Sequence, residues 1–191
     1  MPFDPLAQGR GMMHTPPPRI LLIATLPWLF PVKFLIALRN CGFAVETACP
    51  DGHGFQKLSQ RPTSHRLRLF SERADVVDAI AAATPDLIIP CDDRAVAILH
   101  RLYQTSSDDA LKTLIVASLG RPDFYGTLAS KTQLLAFARR LGLATPESQP
   151  VEDLATLSAT FTRALYPMVL KKDGTWSCKC LQRTHRKTRL F

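Results

Sequence analysis

Two lysines in the second half of the chain stand where a charged ligand could be held. Lys131 follows Ser130 at the start of a helix-like stretch. Lys171 ends a short apolar run that leads on to Gly174. A fixed ammonium group offsets negative charge on a ligand without the help of a metal ion. Taken singly, each lysine would be an ordinary surface residue, so their meaning depends on the elements that position them.

Two familiar glycine-rich phosphate loops do not match the sequence. The first predicted strand runs into residues 25–31, which contain no glycine, so a backbone cannot approach a pyrophosphate there as it does in dinucleotide-binding folds. Residues 126–132 look superficially like a P-loop, but Tyr125 and Ser130 stand where that pattern requires glycine. Both mismatches argue against a nicotinamide enzyme and a P-loop protein.

An acidic pair, Asp92 and Asp93, follows a predicted strand at residues 87–90. Open α/β sheets bind ligands at the carboxyl ends of their strands, so a catalytic or substrate-binding role is open. A helix N-cap with a favourable charge at the positive end of the helix dipole also accounts for both residues, and we favour it. Because His53 lies between two glycines, we expect it to be a solvated turn residue rather than a ligand.

The cysteines argue against a disulfide framework. There are five, an odd number, without tight repeated spacing, which suits a reducing cytoplasm. Cys178 and Cys180 with His185 make a poor zinc site, because structural zinc takes four ligands and usually wider spacing. We therefore expect a cytoplasmic protein without a metal site.

The positive charge is concentrated at the end of the chain. Residues 178–191 supply +5 of the net charge of +8, and the other 177 residues carry only +3. A basic face across the whole domain is therefore not indicated, and nucleic acid is not an expected partner.

Residues 20–38 are almost wholly apolar and near the length of a membrane-spanning helix. Pro27 and Pro31 interrupt this stretch, and Lys33 would lie deep in the bilayer. No small-residue cleavage site follows, so a signal peptide is not indicated either. A strand, a turn and a helix fit the segment better than a membrane anchor.

The first part of the chain predicts a doubly wound parallel sheet. Residues 1–18 form a Pro-rich leader that we expect to be disordered, with Met12 or Met13 as possible true starts. Strands and helices then alternate over residues 19–118. The predicted strands are 20–24, 43–48, 66–69 (a half-exposed edge strand) and 87–90, and the predicted helices are 31–41 (ended by Gly42), 75–83 and one reaching Leu102. Residues 111–118 fit a strand or a helix.

The second part begins after a break in pattern at residues 119–122. Ser130 and Gln133 form a capping-box pattern that opens a helix, and Gly142 ends it. A second helix is predicted through Leu154, Leu157, Phe161 and Leu165, followed by a strand at residues 167–170.

The motifs in this part resemble, in their order, the start of an ATP-grasp domain in the branch of carboxylate–amine and related ligases. They are Ser118-Leu-Gly-x-Pro122, Ser130-Lys131, Leu141-Gly-Leu-Ala-Thr-Pro146 and Tyr166-Pro-Met-Val-Leu-Lys171. The resemblance covers residues 19–177. It implies an α/β chain: a Rossmann-like pre-ATP-grasp parallel sheet over residues 19–118, then an incomplete α+β ATP-grasp subdomain over residues 119–177.

The same resemblance implies a nucleotide site. Lys131 and Lys171 would contact the phosphates of ATP, with Lys171 also near the adenine. Gly174 would open the flexible loop that folds over the phosphates. Lys172 stands where the family usually has proline, so which lysine points inward is open. ATP is the implied cofactor, with Mg²⁺ in full-length relatives, and a small carboxylate is the implied substrate; no catalytic residue is assigned.

Residues 178–191 depart from the family pattern and read as an unrelated basic tail, as a frameshift near codon 177 would produce. The family's metal-binding Glu and Asn residues and most of its lid lie downstream of this point. We therefore expect an N-terminal ligase fragment with weak or no ATP binding and no catalysis. The alternatives are a non-catalytic α/β module that binds a small ligand or partner, and a fragment of a nucleotide-sugar transferase.

Overall fold

The computed structural model describes residues 16–27, 29–60, 62–68, 72–163, 168–171 and 180–184. Most of the expected leader lies outside these residues. The first part of the chain forms a four-stranded parallel sheet, in the order β3-β2-β1-β4. Its strands are β1 (Arg19–Ile23), β2 (Ala44–Cys49), β3 (Ser64–Arg66) and β4 (Leu87–Pro90). The predicted α/β class is confirmed.

Helices cover both faces of this sheet because its central strand is apolar on both sides. Leu21 and Ile23 of β1 point into one hydrophobic cluster, and Ile20 and Leu22 point into the other. Helix α1 (Leu29–Asn40) covers the second cluster. The first cluster is covered by α2 (Glu72–Ala83), α3 (Asp93–Thr105) and α4 (Asp109–Leu119).

The edge strand predicted at residues 66–69 begins two residues earlier in the chain. β3 ends at Arg66, and Leu67 directly after it is only 3% exposed. The Leu67 N–H donates to the carbonyl of Cys49 at 3.0 Å, which brings this residue over the core. Leu69 lies outside the described residues. The predicted position was therefore wrong by two residues, whereas β3 is an edge strand and buried Leu67 lies between exposed Arg66 and exposed Arg68, as the alternation indicated.

The segment at residues 111–118, for which strand and helix were both open, belongs to α4. The Asp108 carboxylate accepts hydrogen bonds from the Ala110 N–H at 2.9 Å and the Leu111 N–H at 3.1 Å, so it caps this helix. At the other end of α4, Ser118 Oγ accepts from the Ile88 N–H at 2.9 Å and donates to the Leu114 carbonyl at 2.7 Å. Ser118 thus joins α4 to a strand at the edge of the sheet.

The helix ends predicted at two glycines are confirmed. Gly42 follows α1 with φ +87°, and Gly142 follows α6 (Lys131–Arg140) with φ +73°. This backbone region is strained for residues with a Cβ, which is why glycine ends helices there.

In its described residues, the second part of the chain forms three α-helices and a pair of strands. The first two are α5 (Tyr125–Ala129) and α6, and Phe124, directly before α5, meets Phe137 of α6 edge-on with ring centroids 5.5 Å apart. The third helix is α7 (Leu154–Arg163), and the strands β5 (Met168–Lys171) and β6 (Cys180–Thr184) pair antiparallel.

Strand β6 lies inside the segment that the sequence indicated as a basic tail. Leu170 pairs with Gln182 and Lys171 with Cys180 in the ladder between the two strands. The tail segment therefore contributes one strand in its described residues, whereas the domain boundaries at residues 118 and 177 stay predictions.

Among the helices in the described part of the chain, none is long and apolar enough to cross a membrane. The apolar stretch at residues 20–38 is divided between β1 and α1, as its prolines indicated.

Candidate functional site

The sheet has a topological switch point between β1 and β4. The chain leaves β1 for β2 and β3 on one side, then returns to place β4 on the other side of β1. The carboxyl ends of these neighbouring strands leave a crevice in which open α/β sheets bind ligands. The segments that line it here begin at Thr25 after β1 and at Cys91 after β4.

Asp92 fills this point with its own carboxylate. It is the N-cap of α3 and accepts from the Ala95 N–H at 3.0 Å, so the favoured cap interpretation is confirmed. The same carboxylate also accepts from the Thr25 N–H, from the Thr25 hydroxyl at 2.7 Å and from the Leu26 N–H at 3.1 Å. Asp92 therefore joins the segment after β1 to the start of α3.

His53 is buried, not solvated as predicted. Its side chain is 2% exposed, and Nδ1 accepts from the Phe55 N–H at 3.2 Å, so His53 caps the 3-10 turn Gly54–Lys57. Because Nδ1 accepts, the proton is on Nε2, which donates to the Leu26 carbonyl at 3.0 Å. Flanking glycines suggested an exposed turn, but the ring folds inward against Phe55, with ring centroids 4.3 Å apart.

The environment of His53 favours its neutral form. Burial lowers the pKa of the imidazole, and the Leu26 carbonyl and the nearby Asp92 carboxylate oppose that shift only in part. A neutral ring with its proton on Nε2 is the form that both of its hydrogen bonds require. His53 therefore acts as a fixed structural support for the segment after β1.

Lys131 is the first residue of α6. Ser130 caps this helix, as predicted, by accepting from the Gln133 N–H at 3.2 Å. An ammonium group at a helix N-terminus, with backbone N–H groups beside it, is a donor set that suits a phosphate. The residues present at this end of α6 therefore fit the nucleotide that the resemblance implies.

Arg139 organises the turn that follows α6, a role that no pattern in the sequence indicated. Its guanidinium donates to Thr145 Oγ1, to the Pro146 carbonyl and to Ser148 Oγ at 3.0 to 3.1 Å. These bonds fix the Leu141–Pro146 motif as a folded turn against the end of α6.

No described contact brings the other two predicted nucleotide-binding residues, Lys171 and Gly174, close to Lys131. Lys171 is the last residue of β5, and the structure describes its backbone alone. Gly174 lies outside the described residues. The assignment of Lys131, Lys171 and Gly174 to ATP thus stays a prediction.

A cluster of rings joins α3 to α5. His100 stacks on Tyr125 with ring centroids 3.9 Å apart, and Tyr103 meets Tyr125 edge-on at 5.7 Å. Burial lowers the pKa of His100 and raises that of Tyr125. The Tyr125 hydroxyl is buried and has no hydrogen-bond partner among the described residues. This stack attaches the start of the second part to the sheet domain.

Metal ligands do not gather in the described residues. No group of three or more His, Cys, Asp or Glu side chains lies close enough there to hold a metal ion. The Cys178, Cys180 and His185 side chains are not among those that the structure describes.

The fold is similar to that of two ligases of known structure. The L-amino acid ligase from Bacillus licheniformis matches 84% of this chain with a TM-score of 0.53 and 20% sequence identity. N5-carboxyaminoimidazole ribonucleotide synthetase from Thermus thermophilus matches 85% of it with a TM-score of 0.54 and 14% identity. This chain spans 38% and 42% of those two structures. The sequence itself matches no protein-family model and no curated protein.

The likeness extends beyond the parallel sheet. The part of the chain up to the end of α4, residues 1–119, makes up less than two thirds of its 191 residues. Because the match to the L-amino acid ligase covers 84% of the chain, it must include residues after 119. Both neighbours are ATP-grasp ligases with a Rossmann-like domain before the ATP-grasp domain. The resemblance predicted from the sequence is thus confirmed at the level of the fold: this chain has the fold of the ATP-grasp ligases.

Proposed function

We propose that this chain contributes the pre-ATP-grasp domain and the first nucleotide-binding elements of a ligase that activates a small carboxylate with ATP. The reaction class is formation of an acyl phosphate, which an amine or another nucleophile then attacks. The observation that carries the proposal is the shared fold with two ligases, which reaches past the sheet into the part that contains Lys131.

Within this proposal, Lys131 and Lys171 bind the phosphates of ATP. Lys131 begins α6, where the helix dipole and backbone N–H groups add to the attraction of its ammonium group. Lys171 ends β5 and is followed in sequence by Lys172, so one of the two supplies the second positive charge. Mg²⁺ would neutralise charge that develops on the transferred phosphoryl group, but the described residues offer it no ligand set.

The 191-residue polypeptide by itself should bind ATP weakly and should not catalyse ligation. Helix α6 has no buried residue, and apolar side chains beyond it are open to solvent: Leu141 is 60% exposed and Leu154 is 83% exposed. Elements packed so sparsely must be ordered when the nucleotide binds, and that ordering reduces affinity. We also infer a cytoplasmic location, in keeping with the free thiols of Cys41, Cys49 and Cys91.

Titration calorimetry with Mg·ATP tests the nucleotide site. We expect a Kd on the order of 1 mM for the wild-type polypeptide. Lys131→Ala should weaken ATP binding about tenfold, because it removes one charge-assisted contact. Of the variants Lys171→Ala and Lys172→Ala, one should weaken binding to the same extent for the same reason. Lys112→Ala, on α4, is the matched control and should leave the Kd unchanged. Equal affinity in all the lysine variants would contradict the assignment.

Catalysis is tested separately. The wild-type polypeptide is incubated with Mg·ATP and a mixture of free amino acids, and formation of ADP is measured. We expect no release above that of a blank without protein. ADP formation that depends on the amino acids and disappears in Lys131→Ala would show that the polypeptide is an active ligase, against the proposal.

A second candidate function, a partner-binding module, is favoured by one observation. Leu141, Leu143 and Leu154 expose 59% to 83% of their surface on the second part of the chain. Exposed apolar groups of this size mark association surfaces when they are contiguous. Light scattering on the wild type and on a Leu143→Asp, Leu154→Asp double variant tests the idea. Association that the double variant abolishes, together with no ATP binding, would favour this function over the first.

A further inference from the structure

The switch point between β1 and β4 is built like an anion site, yet the protein fills it itself. Ligand phosphates in α/β folds are bound by backbone N–H groups after the first strand and at a helix N-terminus. Here the corresponding N–H groups belong to Thr25, Leu26 and Ala95. All three donate to the Asp92 carboxylate, and the Thr25 hydroxyl donates to it as well.

Other features of the same segment also disfavour an anionic ligand. Pro27 follows Leu26 and has no N–H to offer. A ligand phosphate would have to displace the Asp92 carboxylate or lie in contact with it. Two negative charges in contact repel each other strongly where water is partly excluded. The position that would hold a phosphate is therefore both occupied and negatively charged.

Two apolar side chains follow this segment closely in the sequence, at the start of α1. Leu29 is 79% exposed and Phe30 is 67% exposed. Phe30 stacks on Phe34, one turn further along α1, with ring centroids 6.0 Å apart. A ligand that reaches this edge therefore meets aliphatic and aromatic surface.

We propose that Asp92 is a specificity-determining residue that excludes phosphate-bearing ligands from this edge, and that the group bound there is apolar and uncharged. The Asp92 carboxylate satisfies the donors that a phosphate would use, while Leu29 and Phe30 provide the contact surface. That this ligand is the substrate of a ligase rests on the proposed function. In that case, the carboxylate or amine substrate bears an apolar group and no phosphate at this end.

The test uses two small probes that differ only in the phosphate, benzyl alcohol and benzyl phosphate. Each is titrated into the ¹⁵N-labelled 191-residue protein without ATP, and the amide signals of Thr25, Leu26, Leu29 and Phe30 are followed by NMR. For the wild type, we expect saturable shifts with benzyl alcohol at Leu29 and Phe30. Benzyl phosphate should bind at least tenfold more weakly and leave Thr25 and Leu26 unmoved.

Asp92→Ser removes the carboxylate and keeps a side-chain oxygen that can cap α3. We expect this variant to bind benzyl phosphate at least tenfold more tightly than the wild type, with shifts at Thr25 and Leu26. Asp108→Ser, the same change at the cap of α4, is the matched control and should behave as the wild type. Asp92→Asn removes the charge with almost no change in shape, and it should show the same gain more weakly if the serine variant does not fold.

The proposal is wrong if the wild type binds benzyl phosphate as tightly as benzyl alcohol, or if benzyl alcohol leaves Leu29 and Phe30 unmoved. It is also wrong if folded Asp92 variants gain no affinity for benzyl phosphate. Because ATP is absent, these outcomes are independent of the nucleotide site. If the benzyl probes fail these expectations while ATP still binds in a Lys131-dependent way, this inference alone is overturned. If the probes behave as expected but ATP binding does not depend on Lys131, the proposed function alone is overturned.

Discussion

Asp92 and His53 both bind the backbone of one residue, Leu26. The Asp92 carboxylate accepts from the Leu26 N–H at 3.1 Å, and His53 Nε2 donates to the Leu26 carbonyl at 3.0 Å. Asp92 follows β4 and His53 follows β2, so the segments after three neighbouring strands are held together at one point. The carboxyl edge of the sheet is therefore ordered by partly buried polar contacts before any ligand arrives.

Removing the Asp92 side chain should cost far more stability than removing an ordinary helix cap. Asp92→Ala removes the acceptor of the Thr25 N–H, the Thr25 hydroxyl and the Leu26 N–H as well as uncapping α3, and we expect a loss of about 2–3 kcal/mol. Asp108→Ala uncaps α4 and should cost about 1 kcal/mol. Urea unfolding of both variants measures the difference. Equal losses would mean that the contacts to Thr25 and Leu26 contribute nothing to stability.

Acid should destabilise the fold through two imidazoles, the buried one of His53 and the half-buried one of His100. Burial lowers the pKa of His53 and of His100, so the unfolded chain binds more protons than the folded chain below about pH 6.5. Stability from these groups is complete above the unfolded pKa and is lost as pH falls through the lowered folded pKa. Urea unfolding between about pH 7.5 and 5 should show the free energy of unfolding falling with pH.

A ring substitution separates titration from packing in this effect. His100→Phe keeps a ring that can stack on Tyr125 but has no proton to bind. Its free energy of unfolding should depend less steeply on pH than that of the wild type over the same range. An unchanged slope would show that His100 does not contribute to the acid sensitivity.

Gly54 should not tolerate a side chain, although its backbone would allow one. A Cβ at this position would lie 2.8 Å from Val32 Cγ2, and valine is stiff at χ1. We expect Gly54→Ala to cost about 1–3 kcal/mol. Adding Val32→Ala should recover part of that loss, as a double-mutant cycle in urea would reveal. Strict additivity of the two changes would contradict the proposed clash.

Gly126 provides the opposite case for comparison. It lies within α5, and a Cβ there meets nothing within 4 Å. Gly126→Ala should stabilise the protein by about 0.5 kcal/mol, because alanine loses less backbone entropy on entering a helix. Thermal denaturation of both variants beside the wild type should show a lower Tm for Gly54→Ala and a higher Tm for Gly126→Ala.

The parts of this structure that depend on local signals could be predicted from the sequence. The apolar run of β1, the glycine after α1 and the cap at Ser130 each act within a few residues, and each is where the sequence placed it. Residues 111–118 stayed ambiguous because an apolar run of that length fits either element. The cap at Asp108, just before the run, decides in favour of a helix.

The site could not be predicted in the same way, because its contacts join residues distant in sequence. Asp92 meets Thr25 only because β1 and β4 pair in parallel, with Ile23 opposite Pro90. His53 turns inward only because Leu26 presents a carbonyl 27 positions earlier in the chain. No local pattern at either residue carries that information.

Asp75 should prove to be the most sensitive acidic residue of α2. It is 5% exposed, and its carboxylate accepts from the Arg68 N–H at 2.6 Å and from the Arg68 guanidinium. Asp75→Ala leaves these donors without their acceptor at the place where the chain passes from β3 to α2. We expect a loss of about 2–3 kcal/mol in urea unfolding.

Two comparisons isolate the cause of that loss. Asp78→Ala removes an exposed carboxylate from the same helix and should change stability by less than about 0.5 kcal/mol. Arg68→Ala removes a largely exposed guanidinium but keeps the backbone N–H that bonds Asp75. It should therefore be milder than Asp75→Ala, since exposed ion pairs add little. If Arg68→Ala were as damaging as Asp75→Ala, the guanidinium rather than the backbone contact would hold this junction.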